Sequence, residues 1–129
     1  MPMDLRRKRG MQGERIAAAH LAERGFQVLE RNFRTRYGEL DLVLAGEGCI
    51  VFCEVKTRVG AGRSGPAGAL DAIGPGKRRK LRAMAAQWLR CRPPGTARPL
   101  RSRLRFDAIG VTLSPAGAVI SVEHVPDAF

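Results

Sequence analysis

The sequence predicts one α/β domain, and three observations carry that expectation. Two stretches repeat apolar residues at helical spacing, several short runs alternate apolar and polar residues as strands do, and 129 residues is the length of one ordinary domain. Taken in order, the elements read helix, strand, hairpin, helix, strand, strand. Residues 1–10 stand apart as a basic arm ahead of the domain at 11–129, because Arg6, Arg7, Lys8 and Arg9 come with little apolar content. Such an arm is either a solvated terminus or a phosphate-contacting tail.

The first helix is expected from Met11 to Arg24, closed by Gly25, with Ile16, Ala17, Ala18 and Leu21 as its apolar stripe. Glu14 falls on that stripe near the helix N-terminus, where the macrodipole favours an anion. It either complements the dipole or faces the sheet as a functional acid, and Gly13 beside it permits close approach. A first strand follows from Phe26 to Phe33, with Phe26, Val28 and Glu30 on one side. Asn32, Arg34 and Arg36 then read as a basic turn, either a solvated loop or a backbone contact beside a cleft.

The centre of the chain is the hairpin from Gly38 to Arg58, two β-rich runs around a polar break at Ala45 to Gly48. Alternation places Glu39, Asp41 and Val43 on one face and Leu40, Leu42 and Leu44 on the other. In the second run Cys49, Val51, Cys53 and Val55 share one face, and Ile50, Phe52, Glu54 and Lys56 share its opposite. Charges set among would-be core residues are costly unless they are paired or hold a metal. The bland reading is a salt bridge between strands with Glu39 and Asp41 solvated. The functional one is that Asp41 and Glu54 supply hard oxygen ligands suited to Mg²⁺ or Mn²⁺, with Lys56 beside them to orient a water. An acid, about a dozen residues, then Glu-x-Lys at the end of an apolar strand is the PD-(D/E)xK pattern of metal-dependent nucleases.

Beyond the hairpin, Gly60 to Gly68 reads as a loop that orders on substrate, without the spacing of an ATP-binding loop. Leu70 to Ile73 is ambiguous. A second helix runs from Lys77 to about Arg90, with Leu81, Met84, Ala85, Trp88 and Leu89 at helical spacing. Met84 and Trp88 are expected in the core. Lys77, Arg78, Arg79 and Lys80 crowd its first turn, where cations oppose the macrodipole and a phosphate would relieve them. Lys77 shares the face of Leu81 and Met84, which aims it at the sheet. Arg92 to Arg103 is an arginine-rich loop broken by prolines. Arg105 to Leu113 is a strand on whose apolar side Asp107 is expected to pair with a neighbouring Arg, and Ala118 to Val125 is the last strand.

Twenty-three Lys and Arg against twelve Asp and Glu give a net charge of +11, which favours a polyanionic partner. No apolar run is long enough to span a bilayer and no signal peptide pattern follows the basic start, so a cytoplasmic location is expected. Cys49, Cys53 and Cys91 lack metal-binding spacing, and His20 and His124 are isolated, so zinc is not expected.

The combination resembles the YraN family of small bacterial proteins, themselves similar to archaeal Holliday junction resolvases. The matching pieces are Gly13-Glu14 with Ala17 or Ala18 and Leu21, Arg31-Asn32-Phe33-Arg34, Gly38 to Val43, Phe52 to Arg58, Lys77 to Leu89, Arg105-Phe106-Asp107 and Ala128-Phe129. The resemblance implies a restriction-endonuclease-like core, a mixed sheet flanked by helices, with Glu14, Asp41, Glu54 and Lys56 as the metal and catalytic set. Cys53 replaces the usual larger apolar residue. The expectation is a Mg²⁺- or Mn²⁺-dependent nuclease hydrolysing DNA, branched or junction DNA included. Lys77, Arg78, Arg79, Lys80, Arg34, Arg36 and Arg58 would contact the backbone, and a homodimer follows by analogy with resolvases. The alternatives are a nucleic-acid-binding protein with a relict site, and an adaptor for an acidic protein or membrane surface.

Overall fold

A computed structural model describes residues 4–60, 74–91 and 103–129. The loops expected at Gly60 to Gly68 and Arg92 to Arg103 fall almost wholly outside these residues, as does Leu70 to Ile73. The described elements are α1 (Leu5–Glu23), β1 (Gln27–Thr35), β2 (Gly38–Gly46), β3 (Cys49–Val59), α2 (Pro75–Cys91), β4 (Arg103–Leu113) and β5 (Val119–Val125). The five strands form one mixed sheet in the order β1-β2-β3-β4-β5, with only the β3·β4 pair parallel. A parallel neighbour needs a crossover, and α2 lies within it.

The helices cover opposite faces. Ala17, Ala18 and Leu21 of α1 pack on Leu42, Leu44, Val51, Cys53, Ile109, Val111 and Leu113. Leu81, Met84, Ala85 and Trp88 of α2 pack on Leu40, Val43, Ile50, Phe52 and Phe106. Odd positions of β3 thus face α1 and even ones face α2, as alternation requires. Phe52 links the second core, meeting Trp88 edge to face at 5.9 Å and stacking on Phe106 at 5.4 Å. Met84 and Trp88 are core residues, 4% and 1% exposed.

Four sequence expectations shift. Helix α1 begins at Leu5 rather than Met11, because the Asp4 carboxylate caps it by accepting the Arg6 N–H. Residues 5–10 carry no apolar face, so periodicity gave no sign of this turn and a half. Asn32 and Arg34 lie in β1, and only Arg36 of that basic trio is in the turn. The expected face for Leu40 is also wrong: Leu42 and Leu44 join the α1 core, but Leu40 crosses to the α2 core with Val43.

The faces exchange at Asn32 and Asp41, although the β1–β2 pairing, whose register shift lies between Val28 and Glu30, continues in register there. Arg31 pairs with Leu42 and Phe33 with Leu40, which sets Asn32 opposite Asp41. Asn32 is left-handed (φ 52°), a conformation that Asn tolerates better than most residues, and alternation slips by one there. The hairpin turn between β2 and β3 is tighter than the expected break, only Glu47 and Gly48, both left-handed at φ 53° and 72°, as a two-residue turn of the primed type requires.

Candidate functional site

The site lies where β2 and β3 part. Their ladder runs from Gly46↔Cys49 to Leu42↔Cys53 and stops. Beyond it β3 continues against β4 alone, with Lys56 beside Gly110, while β2 continues against β1. Asp41 and Glu54 are the first residues past the fork. The Asp41 Oδ2 accepts the Val55 N–H at 2.8 Å, satisfying a donor that a continued ladder would have used.

Acids gather at this fork from three elements. Burial raises the Asp41 carboxyl, repulsion from Glu54 and Glu14 adds to it, and the Val55 N–H and the Lys77 charge offset part; the net value is pushed up to about 8. Glu14 is also raised, first by burial, with Asn32's side-chain hydrogen bond acting against it and Glu39 and Glu54 adding repulsion. Helix α1 brings Glu14 here because Gly13 lies on Thr57 of β3: a Cβ at Gly13 would stand 1.8 Å from the Thr57 Oγ1. Any larger residue would lift the helix and carry Glu14 away.

From the other face comes Lys77, near the start of α2, where Pro75 presets the first turn. Its Nζ lies 2.7 Å from Glu54 Oε1. Lys56 is half-buried and lines a cavity of about 410 Å³ with Arg6, Arg9 and Glu14. No hydrogen bond or ion pair joins it to another described residue. The sequence-predicted set therefore divides. Asp41, Glu54 and Glu14 come together, Lys77 touches Glu54, and Lys56 stands beside the cluster without touching the acids. Among the described residues no three His, Cys, Asp or Glu side chains stand ready to hold a metal ion.

The other predicted cations surround the cluster. Arg34 sits 3.9 Å from Glu39 in an exposed pair, and Arg36 lies over the Tyr37 ring at the β1–β2 turn. Lys80 joins Lys77 in a cleft of about 400 Å³ on the α2 side. Arg78, Arg79 and Arg58 are exposed on α2 and β3. Three residues outside the expected metal and catalytic set line this site. Asn32 reaches Glu14 from its left-handed position, Glu39 lines clefts on both sides of the fork, and Tyr37 lines the α2-side cleft. For Asn32 the available signal was an Asn inside a strand-like run, a residue that readily turns left-handed.

Asp107 has the structural role expected of it. It is fully buried and receives both Arg105 Nε and Arg105 Nη2 at 2.8 Å, the Asp127 N–H at 2.9 Å and a 2.7 Å contact from His124 Nε2. Burial alone would raise its carboxyl, but the His124, Arg105 and Asp127 hydrogen bonds win and hold it below the ordinary range. Cys53 is buried and its thiol is pushed well up, chiefly by burial, which fits a packing role. No helix among the described residues is long and apolar enough to cross a membrane.

The family model described as "Uncharacterised protein family UPF0102" matches residues 13–111, from Gly13 through both acids of the fork to β4. The chain belongs to the UPF0102 family. It is 41% identical to a UPF0102 protein of Rhodococcus opacus over 120 residues, covering 93% of this chain and 94% of the relative. A UPF0102 protein of Kineococcus radiotolerans is 44% identical over 117 residues, covering 90% and 88%. One from Anaeromyxobacter dehalogenans is 40% identical over 126 residues, covering 98% and 87%. This is the YraN-like family that the motifs resemble. The mixed sheet with a helix on each face is the arrangement compatible with a restriction-endonuclease-like core.

Proposed function

We propose that this UPF0102 protein is a divalent-metal-dependent nuclease that hydrolyses DNA phosphodiester bonds, branched DNA included. The observation that carries the reading is Asp41, a carboxyl pushed up to about 8 by burial and by Glu54 and Glu14 at the fork of two strands. A fold gains nothing from crowding acids there, whereas a cation relieves the repulsion. The donor set fits Mg²⁺ or Mn²⁺: hard oxygens from Asp41 and Glu54, with Glu14 within their field. Such an ion supplies Lewis-acid polarisation of the phosphate and a more acidic bound water.

This chain's own groups do the rest. Lys77 neutralises Glu54 in the arrangement described and lies at the α2 N-terminus, positioned to pass its charge to a phosphate oxygen. Lys56, without an internal partner among the described residues, is free to hold a water or meet the developing charge. Arg78, Arg79, Lys80, Arg34, Arg36 and Arg58 contribute backbone affinity and no base reading.

One observation favours the rival reading, a nucleic-acid-binding protein with a relict site: Lys77 already compensates Glu54 at 2.7 Å. Incubation of the purified chain with Mg²⁺ or Mn²⁺ on linear duplex, single-stranded and four-way-junction DNA separates the two. Metal-dependent cleavage lost in both Asp41→Ala and Lys56→Ala is the expected result. Salt-sensitive binding with no cleavage under either metal would establish the rival.

A further inference from the structure

We propose that the α2-side cleft is a nucleotide pocket that takes an unpaired base against Tyr37, with the adjoining phosphate at Lys80 and the start of α2. The inference rests on the nucleic-acid reading above but not on cleavage. The cleft's volume of about 400 Å³ lies within the roughly 300–1,000 Å³ usual for small-molecule sites. Its wall is unlike the rest of the basic surface. Tyr37, the chain's one tyrosine, stands 40% exposed at its mouth, and Met84 supplies an apolar side.

Charge fixes the orientation. Glu39 and Glu54 line the cleft and repel a phosphate, whereas Lys80, and Gly76 beside Lys77 at the α2 N-terminus, attract one. A ligand that is anionic at one end and flat and aromatic at the other satisfies both ends, and a nucleotide is such a ligand. Arg36 lies over the Tyr37 ring, 4.8 Å from its centroid, and its Nη2 donates to the Tyr37 hydroxyl, so a base would stack on the opposite face. The ring does not hold its turn together, because Thr35 Oγ1 accepts the Tyr37 backbone N–H at 3.0 Å and donates to the Gly38 carbonyl at 3.1 Å. Stacking needs a base out of its duplex, so the pocket selects strands with unpaired nucleotides beside the acids of the fork.

The test uses the full chain without divalent metal and compares a single-stranded oligonucleotide carrying 2-aminopurine with a blunt duplex of equal length. Tyr37→Ala is expected to weaken single-strand binding about tenfold and duplex binding less than twofold, with Tyr37→Phe close to wild type. The 2-aminopurine emission should be quenched by wild type and Tyr37→Phe but not by Tyr37→Ala. Equal loss on both DNAs, or quenching that ignores Tyr37, overturns the pocket while leaving DNA binding intact. A wild-type chain that binds neither DNA overturns this inference and the proposed function together.

Discussion

Asp41 and Asp107 lie in the same sheet, two strands apart, and their carboxyls are driven in opposite directions. Asp107 is fully buried yet held low, because Arg105, His124 and the Asp127 N–H more than offset its desolvation. Asp41 has one backbone donor and two acidic neighbours, and is pushed up to about 8. Burial acts on both; the partners decide. One acid ties the end of the chain to β4, where the Ala128 N–H also bonds the Phe106 carbonyl at 2.7 Å. The other keeps its proton well above the ordinary carboxylate range.

That contrast yields graded predictions, each able to erase it. The largest effect belongs to Asp107→Ala, which leaves Arg105 with Glu47 alone, an exposed partner, and His124 without its carboxylate beside a buried hole. A loss of about 3–5 kcal/mol in chemical denaturation is expected. A loss under about 1 kcal/mol would mean the hub is replaceable.

Asp41→Asn should go the other way. Because the folded carboxyl titrates near 8 and the unfolded one near 3.8, the native state binds the extra proton between those values. Wild-type stability therefore falls as pH rises from about 4 to 8, and the carboxylate's full penalty is present above 8. The Asn variant should exceed wild type by about 1–3 kcal/mol at pH 8.5 in metal-free buffer and match it near pH 4. Equal stability at both would show that Asp41 is not strained. Asp107 gives the mirror image: its contribution is complete above pH 4 and is lost as pH falls below it.

Removing the lysines has smaller effects on stability. Lys77→Met frees Glu54 from a partly exposed pair, and divalent-metal affinity should rise about two- to fivefold. An unchanged or weaker affinity would mean that Lys77 does not compete for the acid. Lys56→Ala should leave the unfolding free energy within about 0.5 kcal/mol, since no described residue pairs with it, while cleavage is lost.

Much of this was readable from the residues because burial and alternation act locally. The β3 faces, the α2 stripe and the Asp107–Arg105 pairing follow from periods of 2 and 3.6 and from the cost of a buried charge. The resemblance names Glu14, Asp41, Glu54 and Lys56 as one set, of which the structure brings the three acids near one another with Lys56 beside them, and the aim of Lys77 followed from the face it shares with Leu81 and Met84. What was hidden depends on backbone geometry that no spacing encodes. The end of the β2–β3 ladder and the left-handed Asn32 lie where Leu40 takes the other face and where Glu14 and Lys77 approach from opposite sides. Residues 5–10 were hidden for another reason: a polar, N-capped first turn gives no hydrophobic period to detect.

Calorimetric titration of Mn²⁺ into the metal-free chain at pH 7, in two buffers of different ionisation heat, tests the cation site most directly. Ligation at Asp41 must expel the proton that burial and its acidic neighbours hold there, so release approaching one proton per bound ion is expected, with binding abolished in Asp41→Asn. Binding without proton release, binding that survives the Asn substitution, or no binding at all would contradict it.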